Sequence, residues 1–377
     1  MDLFGDSITE EIEEDEDEEI FESPDPSEIF RHPREMNLLL GHDAIEKNLL
    51  ELYNSGRMPH AIVFTGPKGI GKATLAYRFA RFLLKHGLKD TSQSGMFGDA
   101  PETTSMDISP QEPAFRRVAS GAHPDFFTTE KKFDEAKDAY KDTLDVEEIR
   151  KIAPFLRMTS SEGGWRIVLC DDADSMNRNA QNALLKILEE PPKNALLILI
   201  AHRAGALIPT IRSRARFINF SPLPDAIMKD LLVRANPAMS AQDMNALINL
   251  SGGSFGKALQ YSHDNAVETL NNLTRLMESA PSWRWLDLHK LADQLSGPGS
   301  DPAYKTFQEL LLWMMRESAR SRARGTPLPV QLRDLLKNSS LEQLLKICEN
   351  LEDHFGRADG ANLDRRQTVL GAFSLIS

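Results

Sequence analysis

Residues 61–84, AIVFTGPKGIGKATLAYRFARFLL, restrict the possible folds of this chain more than any other stretch. Ala61 to Phe64 is a short apolar run and reads as a buried parallel strand. Gly66, Pro67, Gly69 and Gly71 break it. From Lys72 the apolar residues Leu75, Ala76, Phe79, Ala80, Leu83 and Leu84 recur at helical spacing. Strand, glycine loop and helix in that order form the context of a phosphate-binding loop. Glycines let backbone N–H groups turn toward an anion, the helix N-terminus adds positive potential, and a lysine supplies a mobile charge.

The pattern G-x-x-x-x-G-K-[S/T] is met at Gly66, Gly71 and Lys72 but not at the hydroxyl position, which is Ala73. Thr74 comes one residue late, about 100° further round the helix. The candidate nucleotide-binding residues are therefore Gly66, Pro67, Gly69, Ile70, Gly71, Lys72, Ala73 and Thr74. The competing reading is a glycine turn with no ligand.

A chain of 377 residues holds two or three domains with ample core. No apolar run approaches the ~18 residues of a membrane span. The N-terminus is acidic rather than basic-then-apolar, so a cytoplasmic location is expected. Two cysteines, Cys170 and Cys348, exclude a disulfide framework and a four-cysteine zinc site. The net charge of −12 is misleading, because residues 1–30 carry 14 Asp or Glu and no Lys or Arg. The remainder holds 44 basic against 42 acidic residues, which is a near-neutral body. The tail, 1–34, repels itself and reads as disordered.

Further along, Trp165 to Cys170 is a second buried strand with Asp171 and Asp172 at its C-terminal end, where ligands bind in open parallel sheets. Asp171 is placed to hold magnesium if a nucleotide is bound. Asp172 stands where a glutamate normally polarises water, one methylene short, and is a weak catalytic candidate. Asn177 to Glu190 is an amphipathic helix ended by Pro191-Pro192. Ala195 to Ala201 is a third strand, and Arg212, Arg214 and Arg216 precede a fourth at Phe217 to Phe220. From Pro222 the pattern is helical throughout. The expected fold is α/β plus all-α: a parallel-sheet domain at 35–222 with a mobile insertion at about 88–122, a helical lid at 223–265, and a helical domain at 266–377.

The blocks RMPHAIVFTGPKGIGKATLA, DDADSMNRNAQNALLKILEEPP and PTIRSRARF, in that order, resemble the clamp-loader branch of the AAA+ ATPases over about residues 36–262, and more thinly beyond. The resemblance implies an AAA+ nucleotide-binding domain, a lid and a C-terminal collar. The family's Ser-Arg-Cys motif falls at Ser213, Arg214 and Ala215, which implies that Arg214 is an arginine finger acting in trans on ATP held by a neighbouring subunit. The second sensor arginine is replaced at Gly256, followed by Lys257, and the first sensor falls near His202. The partners implied are other clamp-loader subunits in a pentameric ring, with the sliding clamp and primed DNA engaged through the assembly. ATP with magnesium is the cofactor of such loops. The family's zinc module is not expected, since 88–122 has no cysteine.

The leading functional reading is a stator subunit, no polymerase itself, with a weak or inactive site of its own; the loop is then a retained cradle. Losing several parts that act as a unit leaves little hydrolysis. The alternative is a motor-type clamp-loader ATPase using Lys72, Thr74 and Asp172. A third reading, a DNA-binding helical module, is opposed by the near-neutral body.

Overall fold

A computed structural model of the protein describes residues 32–88, 103–131, 133–134, 139–140, 143–279, 283–297, 299–328, 332–336 and 338–376. The acidic tail through residue 31 and residues 89–102 of the expected insertion lie outside them. The first half alternates helix and strand: α1 (Asp43–Asn54), β1 (Ala61–Thr65), α2 (Lys72–His86), α3 (Pro113–Ala119), β2 (Phe126–Thr129), the two-residue strands β3 (Phe133–Asp134) and β4 (Ala139–Tyr140), α4 (Val146–Arg150), α5 (Ile152–Arg157), β5 (Arg166–Cys170), α6 (Arg178–Glu189), β6 (Ala195–Ala201), α7 (Pro209–Arg212) and β7 (Arg216–Asn219). The described remainder is helical: α8 (Asp225–Ala235), α9 (Ala241–Ser251), α10 (Phe255–His263), α11 (Ala266–Met277), α12 (Trp285–Ser296), α13 (Asp301–Arg324), α14 (Arg333–Leu336), α15 (Leu341–Ala361) and α16 (Arg365–Ile376).

The main sheet has the order β2-β5-β6-β1-β7, with every pair parallel. Its three inner strands are buried at every residue. The edge strands β2 and β7 are buried only in part. Strands covered on both faces must be apolar at consecutive positions, and this makes the inner three legible as continuous runs. One face packs on α1 and α2 through Leu49, Leu75 and Phe79; the other packs on α4 to α6 through Ile149, Ile152 and Leu184.

A third apolar core runs from Leu223 to Ile376 and crosses the expected lid boundary at 265/266 without a break. Tyr261 Oη donates to Glu309 (2.6 Å) and Thr306 Oγ1 to Asp264 (3.2 Å), so α10 and α13 are bound together directly.

The structure differs from the sequence reading at 103–122. That stretch is packed rather than a mobile insertion, because Met106, Ile108, Phe115 and Val118 are all buried. Phe115 covers the Arg81 guanidinium, 4.2 Å from its ring centre. Sparse apolar residues among Ser, Pro and Thr gave no periodic signal, yet four were enough to dock the segment. No helix among the described residues is long and apolar enough to cross a membrane.

Entry into β2 is set by a buried polar knot. Asp125, 1% exposed, accepts from Arg166 Nη1 (2.8 Å), Ser160 Oγ (2.9 Å) and the N–H groups of Ser161 (3.0 Å) and Glu162 (3.3 Å). Burial alone pushes this carboxyl up, but the bonds from Ser161, Ser160 and Glu162 and the Arg166 charge outweigh it, so its pKa lies below the ordinary value. Asp125→Ala leaves Arg166 buried without its anion and should cost about 3–5 kcal/mol in urea unfolding. The Asp125 contribution is present above the unfolded carboxylate pKa, ~4, and fades as pH falls through the folded one. A parent and variant of equal stability at pH 7 would remove the knot from the account.

Candidate functional site

β1 delivers the glycine loop to the C-terminal edge of the sheet. Gly66 sits at φ 140°, and a Cβ there would lie 2.4 Å from the Phe220 carbonyl oxygen, so only glycine fits. Lys72 opens α2 and is 3% exposed. Its ammonium donates to the carbonyl oxygens of Gly66 (2.7 Å) and Pro67 (2.5 Å) and lies 3.1 Å from His202 Nδ1. Burial lowers its pKa to about 8, against the raising influence of Asp171, Asp174 and Asp172. Ala73, at the missing hydroxyl position, packs against the apolar core on this face of the sheet.

β5 ends at the paired carboxylates. Asp171 Oδ1 accepts from the Asp172 N–H (2.8 Å), and its pKa is raised, by burial first and by the neighbouring charges of Asp172 and Glu130 as well. Asp172 adopts φ 56°, a left-handed conformation that Asp and Asn tolerate better than longer side chains. Its carboxylate meets Lys131 Nζ (2.5 Å) and faces His202 Nε2 (3.6 Å). Burial would raise its pKa, but the Lys131 bond and charge win and lower it. With an ammonium donor on Nδ1, His202 carries its proton on Nε2, toward Asp172. Lys72, His202, Asp172 and Lys131 thus form one continuous polar chain across the mouth of the site.

The lid closes on the loop by backbone contact. The Gly256 N–H donates to the Gly69 carbonyl (2.8 Å), and Ser254 Oγ donates to the Lys68 carbonyl (2.7 Å). A Cβ on Gly256 would fall 2.9 Å from Gly69 Cα, and one on Gly69 would fall 2.6 Å from Ser254 Oγ. On the other side of the loop, His42 Nε2 bonds the Ile70 carbonyl (2.6 Å), and the His42 ring packs edge-on against Phe220, 4.8 Å between centres. Three features of this arrangement bear on how the loop would hold a magnesium nucleotide. The loop carbonyls hold Lys72, the lid backbone lies on Gly69, and Ala73 offers the metal no oxygen. One group among the described residues has metal-ligand spacing, Asp172, Asp174 and His202, but Lys131 already answers its charge and Asp171 is outside it.

Arg214 lies elsewhere. Parallel pairing puts Arg216 level with Ile62, at the start of β1, whereas the loop begins after Thr65, level with Asn219. Three residues of strand separate the two levels, about 10 Å. Arg214, two residues before Arg216, is therefore on the opposite edge of the sheet from the loop. Its guanidinium donates to the Thr210 carbonyl (3.1 Å) and Ser213 Oγ (3.3 Å) and pairs with Glu189 (3.1 Å).

A family profile described as DNA polymerase III, delta subunit, matches residues 41–224. The DNA polymerase III subunit delta' of Pseudomonas aeruginosa is 33% identical over 246 residues, 62% of this chain and 68% of that protein. The chain belongs to the delta-prime family of DNA polymerase III subunits. The Escherichia coli subunit delta' is 31% identical over 245 residues, 64% of this chain and 66% of that protein, so the match spans about two thirds of each family relative. A solved gamma-subunit-related protein of Thermotoga maritima aligns over 87% of this chain and 98% of its own, at 17% identity and a TM-score of 0.45. The fold of this delta-prime family member is a five-stranded parallel sheet followed, among the described residues, by helices alone.

Several residues of the site escape sequence reasoning. Ser254 and Lys131 carry no motif, and their partners are 186 and 41 positions away, so only the folded chain pairs them. Gln181, 4% exposed, is another. Its amide donates to the Met176 and Ala206 carbonyls and accepts from the Ile208 N–H, which ties α6 to the segment that carries Arg214.

Lys72 is less easily charged when folded than when unfolded, so the parent should gain stability relative to Lys72→Met as pH rises from about 8 to 10.5, by up to about 3 kcal/mol. Urea melts of both proteins across that range test this; a pH-independent difference contradicts it. Gly256→Ala should force the lid off the loop and speed hydrogen exchange at the residue 256 amide at least tenfold, equivalent to about 1.4 kcal/mol of lost protection. Unchanged exchange there refutes the backbone lock.

Proposed function

We propose that this chain is the stator of a clamp loader: a subunit that lends Arg214 to ATP bound by its neighbour and does not turn over ATP itself. The observation that carries the reading is positional. Arg214 stands on the sheet edge opposite its own loop and is partly exposed, away from any phosphate that loop would hold. The closed loop supports the second half, since Lys72 is spent on carbonyl oxygens and Gly256 occupies the place of the second sensor arginine.

In this reading residues 35–222 form the AAA+ domain, 223–265 the lid and 266–377 the collar helices that join the other subunits of a pentameric ring. The sliding clamp and primed DNA are held by the assembled ring, consistent with a near-neutral body. ATP with magnesium belongs to the neighbouring sites. The guanidinium adds positive charge where the transferring phosphoryl group develops negative charge, a contribution of ~10³–10⁵ in rate. The motor-type alternative needs Thr74, Asp172 and Lys72 free to act, and Asp172 is bonded to Lys131 while Lys72 is bonded to its own loop.

In a complex reconstituted with its partner subunits, Arg214→Ala should lower single-turnover hydrolysis at the adjacent site by about 10³-fold or more. Lys72→Ala should leave clamp- and DNA-stimulated hydrolysis at the parent rate. An unchanged rate with Arg214→Ala sinks the finger, and magnesium-dependent turnover by the isolated chain, abolished by Lys72→Ala, establishes the motor instead.

A further inference from the structure

Glu189 is the last residue of α6, followed by Glu190 and the Pro191-Pro192 stop. A carboxylate in that position opposes the helix dipole, so the helix itself disfavours it. A cation from another segment offsets the penalty: Arg214 Nη2 lies 3.1 Å from Glu189 Oε1. Arg214 follows α7, which is only four residues long. Its Nη1 bonds, to the Thr210 carbonyl and Ser213 Oγ, are made within that same short segment, so Glu189 is the one side chain from another element that the guanidinium meets among the described residues. α6 starts beside the strand-end carboxylates, where Asn177 caps it by accepting from the Ala180 N–H (2.9 Å), and Leu184, Ile187 and Leu188 bury it against the sheet.

We propose that Glu189 is the positioning residue of the finger: from the end of a rigid twelve-residue helix it aims the Arg214 guanidinium at the subunit edge before the neighbour docks. The inference rests on reading Arg214 as a finger in trans. Arginine has many rotamers, and one left free must be ordered as the ring closes; an ion pair that orders it beforehand removes that cost from the reaction. Geometric precision of this kind is worth one to two orders of magnitude when a group has to meet a transition state. Both side chains are partly exposed, 36% for Arg214 and 51% for Glu189, so the pair adds little to the stability of the free subunit and its role is orientation.

The test uses the full complex with ATP, clamp and primed DNA. Single-turnover rate and half-saturating ATP at the adjacent site are measured for the parent, Glu189→Ala, Glu189→Gln, Arg214→Ala and the double variant. Glu189→Ala should slow the step about tenfold with half-saturating ATP within about twofold of the parent. Glu189→Gln, which keeps an acceptor but not the charge, should fall between. The double variant should match Arg214→Ala, and thermal unfolding of each isolated subunit should match the parent. Three results overturn the proposal: a parent-like or faster rate for Glu189→Ala while Arg214→Ala is slow, a double variant slower than Arg214→Ala, or a lowered unfolding temperature that accounts for the loss. A parent-like rate for Arg214→Ala itself refutes the finger reading, a separate failure that takes this one with it.

Discussion

Two glycines that touch hold the working half of this molecule in its present form. The Gly256 N–H donates to the Gly69 carbonyl at 2.8 Å, and neither residue can take a Cβ without one meeting the other's backbone or Ser254. This contact brings the start of α10 onto the loop that follows β1. Through Tyr261 and Asp264 it also ties the loop to α13 and the helical remainder. The α/β half and the helical half therefore meet at the glycine loop.

The charges of the site follow from that closure. Lys72 is buried and cannot stay charged without acceptors, so it takes the nearest carbonyl oxygens, those of Gly66 and Pro67, and leans on His202. Asp172 is likewise neutralised by Lys131. What resembles an engine by composition is a satisfied polar network, each member already paired. In the proposed reading the chemistry lies at the far edge of the sheet, where Arg214 would offer its charge to a partner's phosphates from beside the end of α6.

Much of the fold was legible in the chain. The inner strands β1, β5 and β6 appear as continuous apolar runs because both their faces are covered, and α6 appears because its apolar side repeats at 3.6 residues between Asn177 and two prolines. The packed segment at 103–122 was not legible. Of its four buried apolar residues only Phe115 and Val118 share an element, the seven-residue α3, which is too short to show a period, and Met106 and Ile108 lie in irregular chain before it. The continuity of the 223–265 helices with the later ones was also not legible: apolar spacing locates each helix but not which core it joins.

The sequence by itself determined the family, the three inner strands and α6, the damaged loop with Ala73 in place of a hydroxyl, and the candidate finger at Arg214; the edge strand β2 was not among its strands. All of these are local, written in residue type and spacing. Only the tertiary structure decided that Gly256 lies on Gly69, that Lys131 answers Asp172, that Gln181 binds α6 to the segment before Arg214, and that Glu189 faces Arg214. Each of these is a meeting of residues that lie 25 to 187 positions apart in sequence. No propensity or motif records such a meeting, because the free energy that makes it comes from burying the surrounding core and not from the residues that meet.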